Sequence, residues 1–175
     1  MHNHAPADYD CPFCDLPSER EPDVVYRDER VFAMICPRWW PRNPGHLLII
    51  PVAHHENLYD LPAADGHAIF DATQLLARAM RTAYDCAGVS TRQHNEPAGN
   101  QDVWHFHQHL FPRYPGDDLY RTPPAARLAP RRPPPRLRRP AARGTRLVSV
   151  QEATMALERS VAMVTAKTPS TVPVR

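Results

Sequence analysis

Val103-Trp104-His105-Phe106-His107-Gln108-His109-Leu110-Phe111-Pro112-Arg113 is the stretch that decides how this chain is read. Its β-branched, aromatic and aliphatic residues predict a strand over 103–111, and a strand repeats its side-chain direction every two residues. His105, His107 and His109 then share one face, about 6 to 7 Å between neighbours along the backbone. Gln108 is the one polar residue on the opposite face, so the alternation is not a matter of general polarity. Three imidazoles converging near neutral pH supply a nucleophile, a proton donor or a metal ligand. The alternative is three unrelated histidines on a wet strand face.

Working outward, Val24-Val25-Tyr26 and Val31-Phe32-Ala33-Met34-Ile35 read as short strands around the turn Arg27-Asp28-Glu29-Arg30. Leu47 to Val52 reads as a third, entered through Asn43-Pro44-Gly45. A helix follows, with Asp60 as its cap and Pro62 in its first turn; Ile69, Ala72, Leu76, Ala79, Met80 and Ala83 form its apolar stripe. Gly88 is its expected left-handed stop. Val89 to His94 is a fourth strand ahead of the histidines. The sum is an α+β domain, an antiparallel sheet of about five strands covered on one face by a helix, with a Pro/Arg-rich C-terminal extension.

The chain has 175 residues, enough for one domain with a real hydrophobic core. Residues 1–8 read as a flexible N-terminus, 9–120 as the body, 121–148 as a disordered Pro/Arg-rich linker and 167–175 as a tail. Between them Ser149-Val150-Gln151-Glu152 makes a capping box before a short helix over 149–166, whose apolar residues are too scattered to predict firm packing. The Arg121 to Arg146 stretch is therefore expected to add little to the stability of the body, while docking of the helix after Ser149 on the body stays open.

No apolar run approaches the ~20 residues that span a bilayer. Met1-His2-Asn3-His4 lacks the basic start and apolar stretch of a signal peptide. Four cysteines, two of them in Cys11-Pro12-Phe13-Cys14, argue against a disulfide scaffold and for a reducing cytoplasm. Cys36 and Cys86 stand in apolar surroundings and read as buried thiols. The net charge of +2 hides an uneven distribution: residues 121–146 hold nine arginines, seven prolines and no acidic residue, and without them 12 basic residues face 19 acidic ones, a net of −7. Nucleic-acid binding is one reading of the basic stretch. No aromatic residue interleaves its arginines for base stacking, so an extended linker with incidental charge is the preferred one.

His105-x-His107-x-His109-Leu110-Phe111 resembles the signature of the histidine-triad (HIT) superfamily. Asn43-Pro44-Gly45-His46-Leu47-Leu48-Ile49-Ile50-Pro51 is similar to that family's turn-then-strand segment, and Asn95-Glu96-Pro97-Ala98-Gly99-Asn100-Gln101 to its phosphate-facing loop. The resemblance runs over roughly residues 9 to 120. It implies the HIT fold, a small-molecule nucleotide substrate, a homodimer, and hydrolysis or transfer of a nucleotidyl group through a covalent nucleotidyl-histidine. By the same resemblance His107 is the nucleophile and His109 serves a phosphate oxygen or the leaving group. Asn95 and Gln101 match positions that in the family contact the phosphate or the leaving group. A backbone carbonyl near the Gly99 to Gln101 loop is expected to fix the other ring nitrogen of His107. Phosphoramidates are the first substrate class implied; dinucleoside polyphosphates, sugar nucleotides and a non-catalytic nucleotide-binding role are the rivals.

Cys11-x-x-Cys14 is also the pairing that lets two thiolates reach one tetrahedral ion. A thioredoxin-like use needs a preceding strand and a following helix, and none is predicted here. Zinc-bearing members of the family resemble this chain, which implies a structural zinc held by Cys11, Cys14, His54 and His105, with His55 the alternative to His54. Two positions depart from the family pattern. Asp102 stands where relatives place a hydroxyl, and Arg38 stands near the position of a ribose-binding Asp or Asn. A carboxylate cannot donate unless protonated, and a guanidinium cannot accept the ribose hydroxyls. For Trp39 and Trp40, stacking on a base and packing as an aromatic turn both stay open.

Overall fold

The computed structural model describes residues 3–16, 20–38, 40–121, 123–124 and 149–165. The arginine-rich stretch from 125 to 146 and the tail from 167 lie outside them. Five strands form one antiparallel sheet: β1 (Val24–Arg27), β2 (Val31–Ile35), β3 (Leu47–Pro51), β4 (Gly88–Gln93) and β5 (Gln108–Arg113), in the order β1-β2-β3-β5-β4. Two helices accompany it, α1 (Ala63–Tyr84) between β3 and β4, and α2 (Val150–Thr165).

β2 and β3 are apolar at every position and buried at every position. The period of two divides them between two cores. Val31, Ala33, Ile35, Leu47 and Ile49 face α1, meeting Ile69, Ala72, Leu76, Ala79 and Met80. Phe32, Met34, Cys36, Leu48 and Ile50 form a second cluster on the other face, against Phe13, Leu16 and Val24. The sheet is thus covered on both faces rather than one, because the N-terminal segment lies over the second. That segment is also more fixed than expected of residues 1–8. The amides of His4 and Ala5 donate to the Glu56 carboxylate, and Asn57 donates to Asn3.

The β1–β2 turn closes on Asp28, whose carboxylate accepts from the amides of Arg30 and Val31, both at 2.7 Å. At the entry to β3, Gly45 has φ +77°, and a Cβ there would lie 2.8 Å from the Tyr84 hydroxyl, so the residue is fixed by backbone and by space. Helix α1 departs from expectation at both ends. Pro62 occupies the N-cap and no side chain caps it. At the C-terminus Asp85, not Gly88, takes the left-handed conformation at φ 46°, which Asp tolerates better than most residues. Gly88 instead opens β4.

Two further expectations are corrected. β5 begins at Gln108, not Val103: both of its ladders start there, Ile49 of β3 and Gln93 of β4 each pairing with Gln108, although β3 itself runs on to Pro51. Residues 103–107 make a bent approach, with His105 N bonded to Val103 O at 2.8 Å and Phe106 N to His55 O at 2.6 Å. Helix α2, begun by the Ser149–Glu152 capping box, packs on α1 and places Ala153 and Leu157 in the core with no exposure. Helix α2 therefore completes the body.

Candidate functional site

His105, Phe106, His107, Gln108, His109 and Leu110 still alternate across the sheet. Phe106 and Leu110 enter the α1 core, and Gln108 donates to Thr73 of α1 at 2.7 Å. The histidines take the other face, where ring centroids of His107 and His109 lie 5.0 Å apart. Phe13 stands edge-on to both His105 and His107, at 5.7 and 5.4 Å.

His107 is buried, and burial pushes its pKa below the ordinary imidazole value. Its Nδ1 donates to the backbone carbonyl of His105 at 2.8 Å. A carbonyl only accepts, so the proton sits on Nδ1 and Nε2 keeps its lone pair. The expected tether from the Gly99 to Gln101 loop is absent. The Gly99 carbonyl instead faces Nδ1 of His94 at 2.6 Å.

His109 is neutral, its pKa pushed down to about 2 by burial and then by neighbouring His107. It stacks on Phe111 at 5.6 Å, and its Nδ1 lies 3.4 Å from Nε2 of His46. His46 is buried completely, stacked on Phe111 at 4.5 Å, and burial pushes its pKa down to about 3. Its own Nδ1 has no partner among the described residues. A buried N–H without an acceptor is less tolerable than a lone pair without a donor, which favours the proton on Nε2 of His46, donated to His109. His109 then carries its proton on Nε2, a donor suited to an anion.

The neighbouring strand supplies groups the sequence reading passed over. Arg92 is the register partner of His109, and Ser90 that of Phe111. His94 follows in the same phase, its ring 5.8 Å from that of His109. The arginine phase along β4 carries this signal, but only once the pairing with β5 is known. Trp40 packs edge-on to His46 and Phe111, at 5.5 and 5.2 Å, as an aromatic turn against the body; Trp39 is outside the described residues.

The loop before the histidines is held by its own amides. Gln101 is buried, donates to the carbonyls of Glu56 and Val103, and accepts from Glu96 N at 2.8 Å. Asn95 accepts from Leu58 N at 2.7 Å and exchanges bonds with Gln93. Glu96 and Asn100 both have positive φ, 59° and 67°, a strain that sets the loop's shape. Both departures from the family pattern meet at the surface: Arg38 and Asp102 are exposed and face one another at 3.9 Å. Asp102 opposes the effect of burial on His107.

A second cluster adjoins the first. Ligand atoms of Cys11, Cys14, His54 and His105 all lie within 4.8 Å of one another. Nδ1 of His105 is 3.3 Å from the Cys11 sulfur and 3.6 Å from that of Cys14, and Nδ1 of His54 is 3.3 Å from Cys14. His55 points away, to Asp65 at 3.2 Å, which Arg30 also holds. Cys36 is buried, with its thiol pushed up to about 12 by burial, and Cys86 is buried in the α1 core. Among the described residues no helix is long and apolar enough to cross a membrane.

A neutral imidazole with a free lone pair, beside a second imidazole placed to donate, can attack phosphorus and stabilise the displaced charge. The chain is 35% identical over 109 residues to the protein hit of Bacillus subtilis (strain 168), covering 59% of this chain and 71% of that one. It is 30% identical over 102 residues to a bis(5'-adenosyl)-triphosphatase of Saccharomyces cerevisiae, of which it spans 48%, about half that protein's length. Among solved structures, a Zn-bound histidine triad family protein from Mycobacterium smegmatis superposes with a TM-score of 0.57 at 25% identity, over 89% of this chain and 96% of the other. A Hit-like protein from Bartonella henselae gives 0.55 at 33% identity, over 62% and 84%. The HIT domain model matches residues 18–116, which contain the entire sheet and every histidine of the triad, and the chain belongs to the HIT family.

Proposed function

We propose that this chain is a nucleotidyl hydrolase or transferase working through a covalent nucleotidyl-His107 intermediate. The single observation that carries the reading is the Nδ1 bond of His107 to the His105 carbonyl, which leaves Nε2 free. Nε2 attacks the phosphorus, a P–N bond forms, and the bond to the leaving group breaks. The leaving group departs with its electron pair and takes up a proton from solvent. His109 donates from Nε2 to a phosphate oxygen and offsets the growing negative charge. Water or an acceptor then attacks the same phosphorus, the P–N bond breaks, and neutral His107 returns.

Phosphoramidates and related nucleotide conjugates are the first substrate class, and the similarity to a bis(5'-adenosyl)-triphosphatase makes dinucleoside polyphosphates the second. Asn95 and Gln101 border the phosphate site; with their amides bonded to protein, their first effect is to hold the loop that faces it. Mass spectrometry of protein quenched during turnover tests the reading. An adenylyl adduct on His107 supports it. Saturable nucleotide binding with neither adduct nor turnover points instead to a non-catalytic binder.

Cys11, Cys14, His54 and His105 would hold a zinc ion. In a tetrahedral site of this kind, bond lengths of about 2.0–2.3 Å place ligand atoms roughly 3.3–3.8 Å apart, close to the spacings here. Nε2 of His105 faces the Pro51 carbonyl at 3.0 Å, the outer partner that metal-bound imidazoles use to fix their tautomer. With four protein ligands the ion would be structural. We also place the protein in the cytoplasm, as a homodimer, from the resemblance to its family and its four free thiols.

A further inference from the structure

We infer that Arg92 is an anion-binding residue of this site, contacting a second phosphate of the substrate beyond the one His107 attacks; this rests on the nucleotidyl-transfer reading above. Arg92 lies directly across the β4–β5 ladder from His109, about 7 Å further from His107 along the strand direction. Its guanidinium carbon sits 5.2 Å from the centre of Phe111, 5.6 Å from Trp40 and 4.8 Å from Tyr120.

Two features separate this arginine from a packing residue. First, it carries a charge that no acid among the described residues neutralises. Arg30, Arg38, Arg42 and Arg113 each have a carboxylate within 4.0 Å, and Arg113 holds Asp117 through two bonds of 2.7 and 2.8 Å. No carboxylate lies at ion-pair distance from Arg92 among the described residues. Second, its guanidinium makes no hydrogen bond within the described residues, and its N–H groups suit two-pronged oxygen acceptors. The rings of Trp40, Phe111 and Tyr120 thus hold the cation and leave its donors to solvent or ligand.

Its neighbours on the inner side are uncharged. His46 and His109 both stay neutral, Arg92 being one of the causes. Among the described residues the site therefore presents one unpaired positive charge, on the triad face, one step beyond the histidine that meets the reacting phosphate. A substrate with a single phosphate and a neutral leaving group gives this charge nothing to bind. A nucleotide carrying two or more phosphates does.

The test uses the full chain, with Arg92→Gln and Arg92→Lys, and compares diadenosine triphosphate with an adenosine phosphoramidate of a neutral amine. For Arg92→Gln the ratio of kcat/KM values should move at least tenfold toward the phosphoramidate, chiefly through KM for the triphosphate. The inhibition constant of inorganic pyrophosphate should rise at least tenfold, with Arg92→Lys in between. Equal losses on both substrates, or unchanged pyrophosphate inhibition, would overturn the assignment. If the wild-type protein turns over neither substrate, the nucleotidyl-transfer reading fails by itself. Calorimetric titration with pyrophosphate then decides the anion site: binding weakened tenfold in Arg92→Gln upholds it, and equal binding removes it. Should Arg92→Gln melt more than 10 °C early, Arg92→Lys and the salt dependence of wild-type pyrophosphate binding carry the decision. A Lys variant with full pyrophosphate affinity and no salt dependence would end the proposal.

Discussion

The carbonyl of His105 accepts the Nδ1 proton of His107 at 2.8 Å, while the imidazole of the same His105 stands 3.3 Å from the Cys11 sulfur. One residue therefore joins the two clusters, its side chain in the sulfur site and its main chain against the nucleophile. Holding the ring of His105 fixes the bent approach of residues 103–107 and, through it, the tautomer of His107.

His107→Ala should lower phosphoramidate turnover by roughly a thousandfold or more, since a nucleophile has no substitute. Metal content and melting temperature should change little beyond the cost of a small cavity. Steady-state assays that find above a tenth of wild-type turnover would assign the attack to another residue.

Elemental analysis of protein purified without chelators should find about one zinc per chain. Cys11→Ser and His54→Ala should each lose most of it and melt earlier, because binding energy at a structural site is folding energy. His55→Ala should keep its zinc, since that ring is directed to Asp65. Loss in His55→Ala with retention in His54→Ala would exchange the two.

Leu157→Ala should cost about 2–5 kcal/mol in chemical denaturation, the range for emptying a fully buried leucine. Removing residues 149–175 should cost at least as much. A stability within 1 kcal/mol of wild type would mean that α2 does not stay on α1.

Acid should weaken the fold partly through His46. Its folded pKa of about 3 lies below the ~6.5 of an unfolded histidine. The unfolded chain then takes up a proton that the native state refuses, and stability falls as pH drops from about 6.5 towards 3. The slope approaches 1.4 kcal/mol per pH unit for one such group. Urea titrations between pH 7 and 5 should show a shallower fall for His46→Asn than for wild type, other acid-sensitive groups being common to both. Equal slopes would show that His46 titrates normally in the folded protein.

What was legible in the sequence was whatever one segment encodes by itself. Val31–Ile35 and Leu47–Pro51 announced buried strands by composition, α1 by its stripe, and His105, His107 and His109 by alternation. The Cys11, Cys14, His54 and His105 set came through resemblance, since no local spacing links residues so far apart. Features that depend on a partner stayed hidden. The start of β5 at Gln108 is set by where its ladders with β3 and β4 begin. Arg92, His46 and His94 join the site through sheet pairing and aromatic stacking. The tether on His107 is a main-chain oxygen, which any residue at 105 would also possess. Two apolar positions of α2, Ala153 and Leu157, suffice to seat the helix because α1 offers a ready surface.

That last arrangement has a bearing on biosynthesis. All strands and every histidine of the site have been translated by Tyr120, but the core still lacks Leu157. At about 5–20 residues per second, a ribosome needs roughly 2–7 s more to add that residue. Until that residue has left the ribosome and docked, α1 stays partly uncovered, and the chain is open to aggregation and to chaperone capture.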